Sequence, residues 1–278
     1  MMHSLCCQTL SCYNYFTFVW QVNGPLKETL GFVRKADTDF GLIERGDRIA
    51  VGLSGGKDSL VLLQALHLYR LFSHKDYTLC AILVHPGFDF DPAPLLTHAQ
   101  SLGIPLYIHP GNVVETANAL AKPGKSPCPL CAKMRRGALN ATALAHGCNK
   151  VALGHHRNDA LETFLMSMLF ESRLNTLAPK TYLDRTGLCV IRPLLYAREG
   201  HIAHLAQRLA LPVQKPICPF DGHTMRQTMK QTLYALSQQF PHAEERMFLA
   251  LQHTDAYHLW DDYRVPDLPP SCGHRRND

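Results

Sequence analysis

Apolar residues recur along this chain in two rhythms. From Leu26 to Phe40 they return every three to four positions, the spacing of an amphipathic helix. Arg48–Leu53 and Tyr77–Val84 are instead short, almost unbroken apolar runs, as expected of parallel strands covered on both faces. Further on, the pattern predicts a helix to about Phe72, a helix over Pro94–Leu102 closed by Gly103, and a strand over Pro105–His109. It continues with a helix over Ala132–His146 closed by Gly147, a strand over Lys150–Leu153 and a helix from Asn158 to about Glu171. Strands alternating with helices through short turns predict βαβ units, and so an α/β, doubly wound, mostly parallel sheet.

The character changes after Lys180. Val190–Leu194 reads as an edge strand, Glu199–Leu209 as a helix, Leu211–Ile217 as a loop or short strand and Met225–Gln239 as a long polar helix. The expected organisation is an N-terminal extension over 1–25, a nucleotide-binding domain over 26–195, a helical part over 196–262 and a flexible tail over 263–278. Residues 1–25 lack a basic segment and a cleavage site, so they do not read as a signal peptide, and a start codon assigned too early explains them plainly.

Composition narrows the class. With 46% hydrophobic and 18% charged residues among 278, the chain has ample material for a core and does not read as disordered. A net charge of +5 is compatible with a nucleic-acid partner without demanding one. No run is long and apolar enough to predict a membrane span. A nucleotide-binding pattern belongs to the cytoplasm, where thiols stay reduced, so the ten cysteines point to metal or sulfur chemistry, not to bridges.

The strongest chemical signal is Ser54-Gly55-Gly56-Lys57-Asp58-Ser59, between the first strand and the helix opened by Leu60. Glycines let backbone N–H groups approach an anion, with a helix dipole behind them. Lys57 adds a point charge, Asp58 can hold Mg²⁺, and Ser54 and Ser59 can donate hydroxyls. The run differs from the GxxxxGK[ST] loop and resembles the pyrophosphatase loop of the ATP-pyrophosphatase superfamily. A second polar cluster, Gly154-His155-His156-Arg157-Asn158-Asp159, follows a strand in the same way. In doubly wound sheets ligands sit at the strands' carboxyl ends, so both clusters are expected at one site. His155 and His156 read as nucleotide contacts, Asp159 as the site carboxylate and Asn158 as a helix N-cap.

Cys128-Pro129-Leu130-Cys131 lies just before a predicted helix. Alone it fits zinc, a redox dithiol or two unconnected thiols. The later candidate is Cys218, flanked by prolines. Cys80, Cys148 and Cys189 read as buried apolar residues. Lys133, Arg135 and Arg136 are candidates for RNA phosphates, with Arg192, Arg198, Arg226 and Lys230 as further ones.

Taken in order, the Cys-x-x-Cys with Lys133–Gly137, then Leu153–Asp159, then Ile191-Arg192-Pro193-Leu194, then Pro216-x-Cys218 resemble the tRNA 2-thiocytidine synthetase family, from about residue 26 to about residue 254. The resemblance implies a PP-loop fold binding ATP and Mg²⁺, and a [4Fe-4S] cluster held by Cys128, Cys131 and Cys218. It implies adenylation of an anticodon-loop cytidine of tRNA, at position 32, then replacement of its 2-oxygen by sulfur from a cysteine desulfurase. Lys57, Asp58 and Asp159 would be catalytic. Family members are often homodimers, although no dimer-specific pattern stands out here. Two departures matter: Asp221 stands where many members have a further cysteine, and Asn158 where aspartate is common. Alternatives are another PP-loop tRNA-modifying enzyme such as a lysidine synthetase, sulfur transfer to a different substrate, and a non-catalytic sensor.

Overall fold

The computed structural model describes residues 24–87, 90–111, 113–121, 126–214 and 225–253. The chain parts into two compact units, Met1–Leu233 and Tyr234–Asp278. Cys218 and Asp221 lie outside the described residues.

The first unit holds a six-stranded sheet. Strand β1 (Arg48–Gly52) pairs in parallel with β2 (Thr78–Val84) on one side and with β4 (Lys150–Ala152) on the other. Strand β3 (Leu106–His109) extends the sheet beyond β2, and β6 (Leu188–Ile191) runs parallel to β4. The last strand, β5 (Lys180–Leu183), is antiparallel to β6, giving the order β3-β2-β1-β4-β6-β5. Val190 and Ile191 therefore lie in an inner strand and β5 forms the edge, which corrects the expected edge strand at Val190–Leu194. Strand β5 escapes a search for apolar runs because its side chains alternate between exposed and half-buried.

The period-two alternation of strands feeds two cores. Ile49 and Val51 of β1, with Leu79, Ala81 and Leu83 of β2, face α1 (Pro25–Phe40), α2 (Lys57–Phe72) and α7 (Glu199–Arg208). Ala50, Cys80, Ile82 and Val151 face the other way, onto Leu139 and Ala143 of α5 (Cys128–Ala145). Helix α2 is apolar on almost every side, with Leu60, Val61, Leu62 and Leu63 all fully buried, as a helix must be when it crosses beneath its neighbours. Helices α3 (Ala93–Ser101), α4 (Val113–Leu120), α6 (Arg157–Glu171) and α8 (Met225–Gln239) complete the layers. Among the described residues of the second unit, α9 (Ala243–Ala250) carries Glu244 and Glu245 in its first turn, where acids complement the helix dipole. No helix among the described residues is long and apolar enough to cross a membrane.

Helix α5 starts at Cys128, four residues earlier than the pattern predicts. Pro129 fits inside it, because in a first turn the missing N–H is one that no intrahelical acceptor would have taken. Cys128 and Cys131 thus belong to the helix itself, both partly exposed.

Candidate functional site

The order of strand addition reverses between the parallel strands β1 and β4, and the two polar clusters emerge side by side at the carboxyl ends of those strands. The turn after β1 needs its glycines for distinct reasons. Gly55 sits at φ +82°, and a Cβ there would lie 3.2 Å from the Phe90 ring. The turn is pinned by Ser59, whose Oγ donates to Gly56 O (2.9 Å) and accepts from Ser54 N–H (3.1 Å). Ser54 Oγ lies 3.2 Å from the same hydroxyl and accepts from Gly56 N–H. Gln214 N–H closes the outer side on Gly55 O at 2.9 Å. The turn feeds directly into α2, so the N–H groups of its first turn point into the cleft.

Gly154 fixes the distance between the two clusters. A Cβ on it would stand 2.9 Å from the backbone carbonyl of Asp58 and 3.0 Å from Ser59 N. Only a residue without a side chain lets the end of β4 lie against the start of α2. His156 then sits between the carboxylates: its Nε2 lies 3.6 Å from Asp58 Oδ1 and 3.4 Å from Asp159 Oδ2. His156 is the N-cap of α6, and its backbone N–H donates to Asp159 Oδ2 at 2.9 Å. Asn158 is not the cap, contrary to expectation. The helix begins one residue before it, and its Oδ1 accepts the N–H of Glu199, tying α6 to the first turn of α7.

Charge in the cleft is arranged in pairs. Lys57 Nζ lies 3.0 Å from Asp58 Oδ1 and 3.1 Å from Glu199 Oε1. Burial opposes the Lys57 charge, but Asp58 and Glu199 outweigh it and hold the ammonium above its ordinary range. Glu199 Oε1 also takes Lys230 of α8 at 2.7 Å. Burial works against Glu199 too, yet Lys230 and Lys57 keep it below the usual carboxylate range. Arg226, one turn before Lys230, reaches Asp159 Oδ1 at 3.0 Å and lies 3.9 Å from Glu162. Glu162 is 4% exposed; burial, reinforced by Asp159, pushes its carboxyl up to about 7 against the pull of Arg226 and Lys230.

His155 receives a hydrogen bond on Nδ1 from Arg192 Nε at 3.3 Å, and burial lowers its pKa to about 4, so it is a neutral imidazole. Arg192 also donates to the carbonyl of Ala178. Burial lowers the pKa of Arg192 and Arg136 of α5 adds to the effect, so the helix that begins with Cys128 brings Arg136 toward the His155 side. Lys133 and Arg136 are exposed and Arg135 half-buried.

Sequence reasoning missed Glu162 and Glu199, and it assigned Arg226 and Lys230 only to RNA phosphates. No local motif marks these four; they converge because ion pairs link α6, α7 and α8 around Lys57 and Asp159. Among the described residues no three His, Cys, Asp or Glu side chains gather into a metal-sized group. Asp58 Oδ1 receives no well-aligned hydrogen bond, although Lys57 Nζ lies 3.0 Å from it, so a cation there would take the place of the lysine. A single carboxylate completed by phosphate oxygens and water is the usual way proteins hold Mg²⁺.

Residues 30–214 match the family model of a PP-loop domain. The chain is 38% identical over 232 residues to the tRNA-cytidine(32) 2-sulfurtransferase of Pelobacter propionicus, a match covering 82% of this chain and 86% of that one. With the enzyme of the same name from Geobacter metallireducens, identity is 37% over 244 residues, covering 85% and 94%. Among solved structures, the U34-tRNA thiolase NcsA from Methanococcus maripaludis, determined with its [4Fe-4S] cluster, superposes with a TM-score of 0.67 at 26% identity, over 82% of this chain and 80% of that one.

Proposed function

The chain belongs to the PP-loop family, and from that premise we propose that it is an ATP-dependent tRNA sulfurtransferase, which adenylates the 2-oxygen of the cytidine at anticodon-loop position 32 and replaces it with sulfur. The observation that carries the reading is the meeting, at the ends of β1 and β4, of a glycine cradle with Lys57, Asp58, His156 and Asp159. The relatives' shared name and the cluster-bearing thiolase of similar fold support the choice of substrate and sulfur chemistry.

Ser54, Gly55, Gly56, Lys57, Asp58 and Ser59 would hold the ATP phosphates, with Gly154, His155 and His156 along the opposite wall. The cytidine 2-oxygen attacks the α-phosphate and pyrophosphate leaves. Lys57 would offset the charge that grows on the departing group, which is where a preorganised donor contributes most. Asp58 would hold Mg²⁺, which when bound supplies further positive charge to the phosphates. Neutral His155 can donate from Nε2 because Arg192 occupies its Nδ1 side. Asp159, oriented by Arg226 and by the His156 N–H, would be the site carboxylate. Sulfur then attacks C2 and AMP leaves.

Cys128, Cys131 and Cys218 would hold a [4Fe-4S] cluster. Two thiols in one helical turn suit such a group, since the helix dipole favours thiolate at that end. The cluster, when bound, supplies the sulfur. Lys133, Arg135 and Arg136 would contact tRNA phosphates. A cysteine desulfurase would be the upstream donor, the cytoplasm the compartment and a homodimer the assembly.

The test is anaerobic purification of the wild type and of Cys218→Ala, with iron and acid-labile sulfide measured in both. AMP, pyrophosphate and 2-thiocytidine are then assayed with tRNA and ATP. About four irons per chain in the wild type alone, with thiolation that needs ATP, is the expected result. Zinc or no metal in the wild type, with AMP still formed on tRNA, would move the assignment to a cluster-free adenylating enzyme.

A further inference from the structure

A second concentration of nucleophilic groups lies at the opposite end of the sheet. A cavity of about 480 Å³ opens among the amino ends of the strands, lined by Arg48, Asp76, Thr78, Tyr107, His146 and the two cysteines Cys80 and Cys148. Nothing in the adenylation or sulfur-transfer chemistry uses it.

The two sulfurs are 3.5 Å apart, and both residues are only 7% exposed. Their meeting has a local cause. Cys80 is on β2 and Cys148 lies two residues before β4, and β1 is the strand between β2 and β4. The β1 residue in register with Cys80 is Ala50, whose side chain shares the same core. Arg48, from the same strand, is anchored by a hydrogen bond from Nη2 to His146 O. Its guanidinium occupies the space beside Gly147, where a Cβ would lie 3.2 Å from Nη1.

Electrostatics distinguish the two thiols. Cys148 is lowered by its hydrogen bond with Cys80, with Arg48 adding positive charge against the cost of burial. Cys80 is raised by the same hydrogen bond and by burial. Two sulfurs within hydrogen-bond reach of each other, beside a cavity, are the complement needed for a two-step oxidation.

We propose that Cys80 and Cys148 are a dithiol modification site that closes to a disulfide on reaction with a small hydroperoxide entering this cavity. The Cys148 thiolate attacks the peroxide, the O–O bond breaks, and an alcohol or water leaves once it has taken a proton from solvent, with Cys148 left as a sulfenic acid. Cys80 then attacks that sulfur, the S–O bond breaks, and hydroxide leaves as water with the Cys80 proton. Two thiols are oxidised by two electrons and one peroxide is reduced. The sulfurs must close from 3.5 Å to about 2.05 Å. The displacement falls on the Gly147–Cys148 turn, where Gly147 has φ +68°, outside the ladder that begins at Lys150.

The experiment treats the full-length holoprotein with hydrogen peroxide, blocks remaining thiols with N-ethylmaleimide and maps the peptides by mass spectrometry. The expected result is a linked Cys80–Cys148 peptide pair two hydrogens lighter than the two thiol peptides together, with loss of alkylation at both positions that dithiothreitol restores. Cys189→Ser should leave the link unchanged. Cys148→Ser should abolish it and leave Cys80 alkylatable. The proposal is overturned if both thiols in the wild type stay alkylatable while others oxidise. It is equally overturned if Cys148 accumulates as a sulfinic acid with Cys80 unmodified. Neither readout depends on the tRNA reaction.

Discussion

Glu199 holds Lys57: Oε1 of the first lies 3.1 Å from Nζ of the second, and the same oxygen carries Lys230 at 2.7 Å. The lysine of the glycine turn is therefore positioned by a helix far along the chain. Lys57→Ala should lower kcat/KM for adenylation by about 10²-fold or more, the usual loss of a preorganised donor. Glu199→Gln, which keeps the shape and removes one charge, should cost under about tenfold by the same reasoning. AMP release with tRNA at limiting ATP measures both, and equal losses would contradict the assignment of Glu199 as a positioning residue.

Gly154→Ala sets a Cβ 2.9 Å from the Asp58 carbonyl, against backbone that cannot swing aside. It should destabilise the fold by about 1–3 kcal/mol, as overpacking does, and weaken ATP binding. Gly31→Ala is the control. It lies inside α1 with nothing within 4 Å of the added methyl, and should stabilise by about 0.5–1 kcal/mol. Thermal unfolding reads both.

Arg226→Ala and Lys230→Ala should slow adenylation without lowering iron content, because these side chains rest on Asp159 and Glu199. If instead they changed only the affinity for tRNA and its salt dependence, they would be phosphate contacts of the kind first expected from sequence.

Glu162 has a pKa near 7 in the fold against an ordinary 4.5. An acid raised in this way contributes stability that is complete below the ordinary value and is lost as pH climbs through the folded one. Stability should fall between about pH 4.5 and 7 in the wild type, as the carboxylate forms beside Asp159 and Glu199 with only Arg226 and Lys230 to offset it. Glu162→Gln should flatten that slope. Melting temperatures over this range test it, and parallel profiles for the two proteins would refute it.

What could be read from sequence was what is encoded locally. The glycine turn, the parallel strands and the second polar cluster each depend on neighbours within a few residues, and all were legible. Edge strand β5 was not, because a strand half open to solvent carries no apolar run. Helix α4 opens with Val113 and Val114, whose branched side chains argue against a helix until packing overrides them. Asn158 is a favoured cap residue, yet its oxygen is taken by Glu199 N–H, a partner no sequence window contains. Glu162, Glu199, Arg226 and Lys230 became site residues for the same reason.

The paired charges of the cleft also bear on how a polyanion would arrive. Lys57, Arg226 and Lys230 already face Asp58, Asp159 and Glu199, while Glu162 is held largely protonated below neutral pH. These three cations and three carboxylates offset one another. A triphosphate would enter by partner exchange, each lysine leaving a carboxylate for a phosphate oxygen as that carboxylate turns to a cation. Nucleotide affinity should then respond weakly to salt, and a monoanion such as inorganic phosphate, able to displace only one partner at a time, should compete poorly.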